Sequence, residues 1–113
     1  MTSIDEINKV IVDINMAIVS KNIIFVSRMD KTKVTFSKKA AIKELNSLTC
    51  KDYHKGPEGD RDSSQGEVWI FGKKINSEQI YIKVKLQNKA GLSFVKIISF
   101  HPAIYDMDLP YDK

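Results

Sequence analysis

Between Glu78 and Leu86 the chain reads EQIYIKVKL, and Ile80, Ile82, Val84 and Leu86 alternate with Tyr81, Lys83 and Lys85. A period of two places successive side chains on opposite faces of a strand, so this run predicts a β-strand with one buried, apolar face. Its other face carries a phenol and two ammonium groups in a row. Before it, Glu67 to Phe71 (EVWIF) is rich in β-branched and aromatic residues. Gly72-Lys73-Lys74-Ile75-Asn76-Ser77 joins the two runs and has the size of a hairpin turn with frayed strand ends. After it, Asn88-Lys89-Ala90-Gly91 signals another turn and leads into Leu92 to Phe100 (LSFVKIISF). That near-continuous apolar character predicts a strand covered in places on both sides, in the middle of the sheet. The meander delivers His101 at its exit, before Pro102, which cannot donate to a ladder and predicts the strand's end.

The rest of the chain predicts what packs on this sheet. Ser3 and Glu6 have the spacing of a capping box, and Ile4, Ile7, Val10, Ile11, Ile14 and Ile18 then recur at helical spacing. An amphipathic helix is expected over roughly residues 3 to 20, docked on the sheet. Asn22 to Arg28 (NIIFVSR) reads as a short strand broken at Met29-Asp30-Lys31-Thr32, and Lys33 to Phe36 as one more short strand or a lead-in. Ser37 is the N-cap expected for a second helix through Ala40, Ala41, Ile42 and Leu45, ending near Asn46. Thr49, with Asp52 at the capping-box offset, predicts a short helical turn that carries Tyr53, His54 and Lys55 and stops at Gly56-Pro57. Glu58 to Gln65 is polar and lacks periodicity, as expected of a surface loop. Beyond Pro102 the tail AIYDMDLPYDK should pack irregularly on the sheet through Ile104, Tyr105 and Leu109. The expectation is an α+β fold, one domain over residues 1–113, with helices on an antiparallel sheet of about four strands.

The totals narrow the function classes. With 42% hydrophobic and 28% charged residues the chain is globular rather than disordered or fibrous. Cys50 is the sole cysteine, which excludes an internal disulfide and suits a reducing cytoplasm. The amino terminus lacks the basic and apolar regions of a signal peptide, and no run approaches a membrane span. A formal charge of +4 favours an acidic or polyanionic partner.

Several chemistries find no support. His54 and His101 are far apart in sequence and no HExxH or CxxC pattern exists, so neither a metal nor another cofactor is expected. None of the glycines forms a phosphate-cradling GxxxxGK or GxGxxG arrangement. Cys50 is best taken as a small buried filler. What remains is a constellation of Lys55, Tyr81, Lys83, His101 and His54. These residues supply a proton acceptor, a proton donor and cations for a phosphate. RNA cleavage without a metal needs those parts: a base for the ribose 2′-hydroxyl, cations for the phosphorane, and an acid for the departing 5′-oxygen. Each residue also has a plainer role. A tyrosine between lysines is a solvated strand face, a strand-end histidine satisfies a local hydrogen bond, and a lysine before Gly-Pro is a helix-terminal cation. Trp69 and Phe71 read as core, although an exposed aromatic ring is also a surface for stacking on a base.

At these residues a family likeness enters. The pattern L-T-x-x-D-Y-x-K-G-P-E-x-D-R-D, then V-W-x-F-G-K, I-Y-I-K-V-K and I-S-F-H-P-A, resembles the MqsR family of bacterial mRNA-interferase toxins over about the last two-thirds of the chain. The resemblance implies a RelE-like fold with a curved antiparallel sheet, and a toxin of a type II toxin–antitoxin system that cuts mRNA on the sheet face without metal. It places the family's D-Y-x-K lysine on Lys55 and its strand tyrosine on Tyr81, with Lys83 following. The basic residue after I-S-F falls on His101, where founding members have lysine, and Ile70 stands where they have glutamine. The implied catalytic set is His101, Tyr81 and Lys55, with Lys83, Lys85, His54 and Arg61 binding substrate. The implied partners are RNA and a cognate antitoxin protein. The alternatives are a non-catalytic RNA- or protein-binding module using the same basic face, or a structural phage accessory protein.

Overall fold

The computed structural model describes residues 2–25, 37–58, 66–89 and 91–112. Its elements are α1 (Ile4–Val19), β1 (Ile23–Phe25), α2 (Lys38–Leu45), a 3-10 turn (Cys50–Asp52), β2 (Tyr53–Glu58), β3 (Glu67–Ile75), β4 (Glu78–Lys89) and β5 (Leu92–Pro102). The expected strand at Lys33 to Phe36 and most of the expected polar loop lie outside the described residues.

Both helices start where the caps predict. Ser3 accepts from the Glu6 amide at 3.2 Å while Glu6 Oε1 reaches back to Ser3, closing the capping box. Ser37 Oγ accepts from the Ala40 amide at 3.1 Å. The inner stripe of α1 is Ile7, Val10, Ile11, Ile14 and Ala17, all buried, whereas Ile4 at the helix start is left at the rim. Full burial of each isoleucine contributes about 1.5–3 kcal/mol relative to exposure. The stripe meets Ile80, Ile82, Val84 and Leu86 of β4, Trp69 and Phe71 of β3, and Val95, Ile97 and Phe100 of β5 in one core.

The sheet has five strands in the order β1-β5-β4-β3-β2. The β3-β4-β5 meander is antiparallel, as the alternation predicts, and β5 is internal. Two features correct the expectation. First, β1 runs parallel to β5, with Ile24 opposite Lys96, so the sheet is mixed. Second, Tyr53 to Glu58 is not part of a helical turn but strand β2, an irregular edge strand with Tyr53 opposite Phe71 and Lys55 opposite Ile70. The turn stops at Asp52, where Asp52 Oδ2 accepts from the Thr49 amide at 3.0 Å. Burying the Tyr53 ring against Trp69 then draws the chain along β3. Gly56 makes that approach feasible: it holds φ at +133°, and a Cβ there would fall 2.8 Å from the Val68 carbonyl. Pro57 is tolerated because β2 is an edge. Similarly, β5 runs on through His101 to Pro102, which still lies opposite Ile80 of β4, while among the described residues β1 pairs with β5 from Val95 to Ile97.

The face away from the helices has its own, smaller cluster. Val68, Ile70 and Met107 are buried there, with Tyr81, Ile98, Ala103 and Leu109 packed around them. Met107 and Leu109 come from the irregular tail, which Gln79 holds at two points: its carbonyl accepts from the Ala103 amide at 2.9 Å and its Oε1 from the Met107 amide at 3.0 Å. Of the expected anchors Leu109 packs, but Ile104 is 85% exposed and Tyr105 half-exposed. Met107 takes the anchoring position because Gly72 leaves room for it, and a Cβ on Gly72 would lie 2.9 Å from Met107 Sδ.

Candidate functional site

Cross-strand register assembles the site on this second face. Tyr81 lies opposite His101 on one side and Gly72 on the other. The phenol and imidazole stack at 5.2 Å between centroids with planes 15° apart. One row away, Lys83 lies between Ile70 of β3 and Ser99 of β5, and Ile70 in turn lies beside Lys55 of β2. Lys55 and Lys83 therefore flank a buried isoleucine across two strand spacings, about 10 Å of sheet. Lys55 Nζ stands 4.0 Å from Glu58 Oε2, a half-exposed pair that contributes little stability and leaves the ammonium accessible.

The tail extends this set. The Tyr105 ring meets Tyr81 edge-on at 6.4 Å and His54 at 6.1 Å. His101, Tyr81, Tyr105 and His54 thus form a chain of rings running from β5 across β4 and the tail to β2. The hydrogen bonds define both imidazoles. His101 Nδ1–H donates to the Pro102 carbonyl at 2.8 Å, and His54 Nδ1–H donates to the Asp108 carbonyl at 2.6 Å. A carbonyl oxygen only accepts, so each neutral ring carries its proton on Nδ1 and a lone pair on Nε2. The Tyr105 hydroxyl donates to that lone pair on His54 at 3.4 Å.

Burial pushes the Tyr81 phenol above its ordinary value of 10.0, with the neighbouring Tyr105 hydroxyl and Glu58 carboxylate acting in the same direction. Tyr81 is therefore an O–H at neutral pH and can donate a hydrogen bond.

Lys85 sits differently from the solvated lysine that the alternation predicts. It is only 2% exposed, opposite Lys96 of β5, with Gly66 laid against it so that a Cβ there would fall 3.0 Å from Lys85 Cε. Its ammonium is not presented at the surface. Arg61 lies outside the described residues. Trp69 and Phe71 are core on the helical face, as expected. Tyr105 and Glu58 joined the site without a sequence signal, because an irregular tail and a bulged edge have no period to read. Among the described residues no three His, Cys, Asp or Glu side chains gather as a metal site. No helix there is long and apolar enough to cross a membrane. The chain matches no protein-family model, no curated protein and no solved structure.

Proposed function

We propose that the protein is a metal-independent endoribonuclease of the cytoplasm, an mRNA interferase of the toxin–antitoxin type that cleaves by attack of the ribose 2′-hydroxyl. The observation that carries this reading is the stacked Tyr81–His101 pair, with Lys83 one row away and Lys55 across Ile70. An imidazole that exchanges a proton, a phenol held as O–H, and ammonium groups on the same face are the parts a transesterification needs. The 2′-oxygen attacks phosphorus, the P–O5′ bond breaks, and the products are a 2′,3′-cyclic phosphate and a 5′-hydroxyl. His101 exchanges the proton, Tyr81 donates to the phosphate or the leaving oxygen, and Lys55 and Lys83 hold the phosphate. The cationic surface also fits an acidic antitoxin as partner.

Purified protein is expected to cut single-stranded RNA in the presence of EDTA, and His101→Ala to lower the rate about 100-fold or more. Intact RNA with wild type would end the enzyme reading. Binding that weakens with salt but ignores His101→Gln and Tyr81→Phe would favour the binding module instead.

A further inference from the structure

The start of the tail is a short loop pinned at both ends by a single residue. Gln79, at the start of β4, accepts from the Ala103 amide through its carbonyl at 2.9 Å and from the Met107 amide through its Oε1 at 3.0 Å. Met107 is itself buried against Gly72. Between these anchors stand Ile104, 85% exposed, and Tyr105, 46% exposed. Two hydrogen bonds and a buried methionine thus hold an aromatic ring at the surface of the site. A ring fixed in advance loses little freedom when a ligand settles on it.

That ring differs from its neighbours. His101 and Tyr81 lie face to face with planes 15° apart, so each covers a face of the other. Tyr105 meets Tyr81 at 68° and His54 at 50°, so neither of these rings is stacked on it. The other three rings are half-buried or deeper, and Tyr105 alone is exposed. The charges nearby decide what it can receive. Asp106 and Asp108 follow it in the tail, both exposed, and disfavour a phosphate at the ring itself. Phosphates are drawn instead to Lys55, next to His54 in the chain, and to Lys83, two residues beyond Tyr81 on the same strand face. An uncharged, flat group attached to a phosphate chain satisfies both demands, and that is a nucleobase.

Resting on the nuclease reading for RNA as the ligand, we infer that Tyr105 is a platform on which a base of single-stranded RNA stacks, close to the phosphate held by Lys55 and Lys83. Every base has a π-face, so the contact selects unpaired strands without selecting their sequence.

Two deoxyoligonucleotides of equal length test this with the full chain at low salt, one carrying bases and the other the same phosphates without bases. Neither has a 2′-hydroxyl, so binding is read by fluorescence anisotropy without cleavage. Tyr105→Ala is expected to bind the base-bearing strand about 10-fold more weakly and the abasic strand as wild type does. Tyr105→Phe keeps the ring, loses the hydroxyl that reaches His54 Nε2 at 3.4 Å, and is expected to bind both strands like wild type. Lys83→Ala is expected to weaken both strands alike. Unchanged binding of the base-bearing strand by Tyr105→Ala overturns the inference. So does an equal loss on the abasic strand, which would place the effect on the phosphate sites, and so does a loss in Tyr105→Phe as large as in Tyr105→Ala. Any of these, with wild type cutting RNA in EDTA, leaves the nuclease reading standing. Wild type that leaves RNA intact, while Tyr105→Ala loses affinity for the base-bearing strand alone, ends the nuclease reading and upholds the platform.

Discussion

The two faces of the sheet are made by the same strands, in β4 by neighbouring residues, yet they are covered by different kinds of chain. On one face Ile80, Ile82 and Val84 are fully buried beneath a capped amphipathic helix of 16 residues. On the other, Tyr81 and Lys83 remain half-buried, and Tyr81 packs with a tail without regular structure that is anchored by Met107 and Leu109. A helix presents a continuous apolar stripe and excludes water along its whole length. An irregular segment anchors at a few points and must satisfy its own backbone by borrowing partners such as Gln79 and His54. Incomplete cover is what leaves phenol, imidazole and ammonium groups together at the surface. The main core and the candidate site are thereby separated onto opposite sides of one sheet.

The sharpest way to break this contrast is Ile82→Ala. A fully buried side chain at the centre of β4 should cost about 2–5 kcal/mol in chemical denaturation. A cost under about 1 kcal/mol would mean that the helical face is not the stabilising one. Met107→Ala asks how much the tail contributes. Met107 is 8% exposed and sits over Gly72, so the loss should be near the low end of that range, about 2 kcal/mol. Amide exchange at Ala103 and Met107 should accelerate by more than exchange in α1, because both amides depend on the docked tail. Equal acceleration in α1 would show one cooperative unit instead of two differently held faces.

The smallest effect concerns a polar group at the rim of the helical side. Burial raises the Asp52 carboxyl above 3.8, outweighing the hydrogen bond from Thr49 and the field of Lys73. The folded chain therefore keeps this proton to higher pH than the unfolded chain, and the contribution of Asp52 to stability falls as pH rises through the raised value. Asp52→Asn should stabilise the protein slightly near neutral pH, with the gain vanishing below 3.8. Denaturation midpoints of both forms followed across that interval check the sign, and a gain that persists in acid would point to some other cause.

Local patterns carried most of the architecture. The two capping residues, the stripe from Ile7 to Ile14 and the alternation of β4 all depend on residues within a turn or a hairpin of one another. The pairing of Tyr81 with His101 was legible for the same reason, since turn positions and strand periods place them in one meander. Lys55 was legible as a residue and not as a position, because the Gly56-Pro57 pair that stops helices equally well shapes a bulged edge strand.

The sequence by itself determined which faces would be apolar, where helices begin, and that β5 would be an inner strand. Only the tertiary structure decided that β2 is a strand, that β1 runs parallel, that Lys85 is buried, and that the tail brings Asp108 and Tyr105 to His54 from 54 and 51 residues away. Propensity, capping and periodicity act between residues a few places apart. Contacts across half the chain are chosen by which buried surfaces fit together, and they leave no repeat along the sequence to announce them.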